Sequence, residues 1–67
     1  MTKNDYYYAY SDYIERECQE KDVRKKRQDF VHYFTDHWEV KNEAGVTPID
    51  FAEEAIAALG LKRKLVR

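Results

Sequence analysis

Residues 14–34 read IERECQEKDVRKKRQDFVHYF, and the fold turns on whether this stretch forms one helix or two. It contains no glycine or proline and is rich in helix-favouring residues. Glu17–Lys21, Glu20–Arg24 and Asp22–Lys26 each set an acid four residues before a base, the order that supports a continuous helix. Geometry points the other way. At about 100° per residue, Ile14 and Phe34 fall roughly 160° apart around one axis, so an unbroken helix turns its two apolar stripes to opposite sides. A turn near Gln19–Asp22 brings both stripes to a single core. The expected fold is therefore all-α, a small three-helix bundle with helices at about 5–19, 23–40 and 48–59. The alternative keeps the first two segments as one long helix plus a short C-terminal helix, and then needs a dimer or a partner to cover the second stripe.

Away from that stretch the signals are local. Thr47 suits an N-cap, Pro48 the first helical position and Asp50 the capping-box acid, while Val46 and Phe51 stand as a hydrophobic staple across the cap. Ala52, Ala55, Ile56 and Leu59 follow at core spacing, and Gly60 closes the helix with Leu61 folding back. The middle helix carries Phe30, Phe34, His37 and Trp38, widened by Val31 and Tyr33, with Asp22 as its candidate cap. The first places Tyr7, Tyr10, Ile14 and Cys18 on one stripe, with Tyr6 and Tyr13 beside it.

Composition bounds the function. Sixty-seven residues make one domain, here 1–67 with a basic tail at 62–67. A core this small leaves stability marginal unless a disulfide, a metal, self-association or a partner adds to it. Cys18 is the single cysteine, so no internal disulfide and no four-cysteine zinc site can form. A lone thiol suits a reducing compartment, no run approaches the roughly 20 apolar residues of a membrane span, and no secretion signal opens the chain; the expected location is the cytoplasm. The net charge of −1 is patterned: residues 1–22 carry −3, 23–34 carry +3, 35–61 carry −5 and 62–67 carry +4. The near-zero total disfavours a general polyanion binder, while charge in blocks permits oriented docking.

Candidate chemistry is thin. Asp29, His32 and Asp36 share a helical face, as a metal site on a helix requires, but that face lies opposite Phe30, Phe34 and Trp38 and reads as a solvated surface. His37, next to Trp38, invites a pH switch or general base, against the plainer reading of a ring at the core edge. Cys18 has no orienting group or oxyanion hole to make it a nucleophile. Neither glycine sits in a phosphate-binding loop. The expectation is a non-enzyme without metal, cofactor or small-molecule substrate.

Tyr6, Tyr7, Tyr8, Tyr10 and Tyr13 crowd into eight residues. A helix cannot bury all of them on one side, and helical geometry turns Tyr8 away from Tyr10 and Ile14. Exposed tyrosines suit protein interfaces or base stacking; the plainer alternative is an amphipathic core. The basic runs Arg24-Lys25-Lys26-Arg27 and Lys62-Arg63-Lys64 read either as solvated surface or as phosphate contacts.

The opening Met1-Thr2-Lys3-Asn4-Asp5-Tyr6, with the chain length, resembles the start of the small enterobacterial haemolysin-modulating nucleoid proteins. The resemblance ends at Tyr6 and implies no site or partner here. From the residues themselves, the expectation is a non-catalytic macromolecule-binding protein, a small bacterial or phage-type modulator or inhibitor of a larger protein. Its expected contacts are Tyr6, Tyr7, Tyr8, Arg24, Lys25 and Arg27, toward a protein partner or a second copy. The alternative is nucleic-acid binding through residues 24–27, Lys26 included, with Lys62, Arg63 and Lys64 and tyrosine stacking. No membrane association is expected.

Overall fold

The structure, a computed structural model, describes residues 2–64; the end of the basic tail, Leu65, Val66 and Arg67, lies outside the described residues. Among the described residues four helices follow one another: α1 Lys3–Glu17, α2 Glu20–Lys25, α3 Arg27–Glu43 and α4 Pro48–Leu59. The chain is all-α, as expected, and the stretch that decides the fold is broken twice rather than once.

The first break falls at Cys18 and Gln19, both in extended backbone, so α1 and α2 are separate and the single long helix is excluded. Asp22 is not a helix cap. Its carboxylate instead accepts a hydrogen bond from the Lys62 backbone N–H at 2.9 Å. Glu17, too, pairs away from its helical neighbour, with Arg63. The second break, at Lys26, is milder: Lys26 N–H still bonds Asp22 C=O and Phe30 N–H still bonds Lys26 C=O, so the residue at the kink keeps a backbone partner on each side. Neither proline nor glycine marks it. The Lys26 ammonium donates to the Leu59 carbonyl at 2.7 Å, meeting an otherwise unpaired acceptor at the end of α4.

The helix ends follow local chemistry. Thr2 caps α1 by accepting from Asp5 N–H, and Thr47 caps α4 by accepting from Asp50 N–H, both at 3.1 Å. Gly60, at φ 69°, takes the left-handed conformation that ends α4, and Leu61 N–H reaches back to Ile56 C=O. Gly45, at φ 78°, does the same after α3, with Val46 N–H on Lys41 C=O.

One buried cluster joins the elements, made of Tyr6, Tyr10, Ile14, Cys18, Val23, Phe30, Phe34, Phe51, Ala52, Ala55, Ile56 and Leu61. Its centre is aromatic. Phe34 lies 5.0 Å from Tyr7 and from Tyr10, and Tyr10 lies 4.9 Å from Phe51, between ring centroids. The buried phenols are paired: Tyr10 donates to Phe30 C=O at 2.7 Å and Tyr6 to Val46 C=O. Ala52 and Ala55 are fully buried, and α1 and α4 form the most extensive helix pair. Tyr6 meets Val46, Tyr13 meets Glu53 and Gln19 meets Lys62, so these two helices run in the same direction.

Candidate functional site

Beyond Gly60 the chain turns back over the α1–α2 break as a short strap. Leu61 anchors it in the core. Gln19 N–H donates to Lys62 C=O at 2.9 Å and Lys64 N–H to Glu17 C=O at 2.8 Å, forming an isolated antiparallel bridge between Cys18 and Arg63. The break thus leaves backbone donors and acceptors that a helix would have used internally, and the strap satisfies them. Arg63 adds side-chain contacts, reaching Glu17 and Glu53, while Tyr13 donates to the same Glu53 carboxylate. That hydrogen bond, with burial behind it, holds the Tyr13 phenol above its ordinary ionisation range.

The strap brings together the two basic runs, far apart in sequence. A groove of about 360 Å³ opens between α1, α2 and the strap, lined by Glu15, Glu20, Val23, Arg24, Arg27 and Lys64. Arg27 pairs with Glu15 at 2.9 Å and lies over the Phe30 ring at 5.4 Å. Arg24 and Lys64 take part in no ion pair among the described residues. Lys25 and Lys62 are exposed but do not line the groove. Lys26 and Arg63, both expected as nucleic-acid contacts, are engaged within the fold by Leu59 and by Glu17 and Glu53.

The tyrosines divide three ways. Tyr6 is a core residue, 2% exposed and hydrogen-bonded to Val46, which corrects its expected place at a contact surface. Burial raises its phenol's pKa. Tyr7 is half-buried, edge-on against Phe34. Tyr8 is 72% exposed, whereas Tyr10 and Ile14 are fully buried. Tyr8 and Glu15 stand seven residues apart on one line of α1, about 10 Å along its axis. The exposed ring and the groove therefore share one side of the molecule.

The remaining candidates do not converge. Asp29, His32 and Asp36 are exposed, and among the described residues no three such side chains gather at a point where an ion would sit. His37 is exposed, not at the core edge, its ring 4.7 Å from Tyr33. Cys18 is buried, and burial raises its thiol pKa, partly opposed by Arg63, which keeps it in the unreactive protonated form. Among the described residues no helix is long and apolar enough to cross a membrane.

Sequence reasoning marked Arg24, Arg27 and Lys64 but missed Glu15, Glu20 and Val23, which complete the groove. Their participation depends on the kink at Lys26 and the return of the strap, neither of which has a local signal. Compared with protein-family models, curated proteins and solved structures, the chain gives no match, so the likeness of its first six residues stands alone.

Proposed function

We propose that this is a non-catalytic binding protein that docks onto a larger protein through the side carrying Tyr8 and the Arg24–Arg27–Lys64 groove, and so modulates or inhibits it. The observation that carries the reading is the convergence of two basic runs on one groove beside an exposed tyrosine. An exposed aromatic with a polar tip on the same side as arginines is the composition of an interface anchor. A cytoplasmic setting goes with this reading, because the lone thiol of Cys18 suits a reducing compartment.

Nucleic acid is the second reading, and the same convergence of cations favours it. Two observations weigh against it. Glu15 and Glu20 line the groove among the cations, and two of the expected phosphate contacts, Lys26 and Arg63, are already engaged. A protein surface can answer both signs of charge; a phosphate backbone answers one.

Titrating the chain with random-sequence DNA across a range of salt separates the two. The protein-binding reading expects weak association that salt abolishes without any preferred site. Tight binding with a steep linear loss of log affinity against log salt establishes the nucleic-acid reading instead.

A further inference from the structure

Resting on that protein-binding reading, we propose that the groove seats an acidic side chain, an aspartate or glutamate on an exposed peptide segment of the partner, between Arg24 and Lys64. Arg24 and Lys64 bracket the groove from α2 and from the strap, and neither has an ionic partner among the described residues. Arg27 is different. Its guanidinium is paired with Glu15 and lies over Phe30, so it shapes the wall while the other two cations remain open to a ligand. Val23 lines the groove but is 4% exposed, so the seat offers charge far more than apolar surface.

Size and sign identify the occupant. About 360 Å³ is more than one carboxylate needs and accommodates a short peptide stretch. A nucleic-acid strand carries a charge about every 3.4 Å along its axis, so a strand laid here brings further phosphates against Glu15 and Glu20. A peptide with an isolated acid places one negative charge between two cations and offers backbone N–H groups to the two glutamates. Charge complementarity of this kind sets register and orientation.

Selection of a random heptapeptide library on the immobilised full chain tests the assignment. Selected peptides are expected to share an Asp or Glu at one position. In amide chemical-shift mapping, a resynthesised peptide should move residues 15, 20, 23–27 and 64. Replacing the peptide's acid by its amide should weaken binding about tenfold, as should the Arg24→Glu, Lys64→Glu double variant with its circular dichroism unchanged. The amide peptide needs no altered protein, so a folding defect in the double variant leaves the test intact. Selected peptides without a shared acid, or binding indifferent to its removal, overturn the assignment. Peptides that shift only the surroundings of Tyr8 overturn the acid seat and leave the protein-binding reading standing. A short oligodeoxythymidylate that occupies the groove more tightly than any acidic peptide overturns both.

Discussion

The two ends of this molecule are held together by different physics. Around Tyr6, Tyr10, Phe34 and Phe51, aromatic rings bury one another and the phenols are hydrogen-bonded internally. Around the α1–α2 break, backbone hydrogen bonds to the strap and exposed ion pairs supplement a smaller, non-aromatic apolar set, Cys18, Val23 and Leu61. Apolar burial carries no charge for salt to screen, whereas exposed ion pairs are screened and are worth little individually. The first end holds the aromatic burial; the second is where the chain leaves charge and backbone close to the surface.

The largest effect should come from the aromatic end. Phe34 is 2% exposed and touches Tyr6, Tyr7, Tyr10, Trp38 and Phe51. Phe34→Ala should cost ~3–5 kcal/mol, comparable to the whole stability of so small a domain, and thermal melts followed by circular dichroism should show a largely unfolded chain. Trp38 is only half-buried, so Trp38→Ala should cost less. A cooperative, near-native melt for Phe34→Ala would remove the distinction between the ends.

Tyr10→Phe sharpens it. Losing the hydrogen bond to Phe30 C=O should cost ~1 kcal/mol at neutral pH. The substitution should also change the response to alkali. Burial, then the neighbouring Tyr33 and Tyr7, hold the Tyr10 phenol far above its ordinary range, while in the unfolded chain it ionises near pH 10. Above about pH 10 the folded state therefore keeps a proton that the unfolded state releases, and stability falls as pH rises. Below about pH 9 this group contributes no slope. Tyrosinate absorbance and denaturant melts across this range should show that Tyr10→Phe loses part of the alkaline slope.

Arg63→Ala probes the other end. Its ion pairs with Glu17 and Glu53 involve side chains more than a third exposed, so the cost should stay under ~1 kcal/mol and shrink further at high salt. Equal loss at low and high salt would mean that the junction is held by packing, like the core.

Much of this division is legible in the sequence, and unevenly so. α4 is written out completely, because Thr47, Pro48 and Gly60 act on their own few residues and need no tertiary context. The break after α1 follows from the mismatch of the Ile14 and Phe34 stripes, which is a matter of angle alone. The kink at Lys26 is not legible: the residue's ammonium finds its partner thirty-three positions away, at Leu59. Nor are the polar contacts of the strap. Glu17 and Asp22 have good helical partners at i+4 and bond instead to the strap, where the unpaired backbone of the break already holds the chain. For the same reason the groove is half visible, its cations conspicuous as runs while Glu20 reads only as a helical partner of Arg24 and Glu15 carries no signal. Periodicity turns Tyr8 outward, as found; Tyr6, four residues before Tyr10, is expected only beside the stripe, and the tertiary contact with α4 shows how deeply it is covered.

The smallest effect on folding should come from Tyr8→Ala. Its ring is 72% exposed, so stability should change by no more than ~0.5 kcal/mol, a degree or two in melting temperature. The same change should weaken partner binding by ~1 kcal/mol or more.

The most direct measurement uses that contrast. The wild-type chain and a Tyr8→Ala, Arg24→Glu double variant, matched for melting temperature, serve as baits in extracts of the native host, with and without nuclease, and recovered proteins are quantified by mass spectrometry. The expected result is one protein recovered in near-stoichiometric amount by the wild type, indifferent to nuclease, and depleted about fivefold or more by the double variant. Equal recovery by both baits, or recovery that vanishes with nuclease, would contradict the assignment of this side as a protein-docking surface.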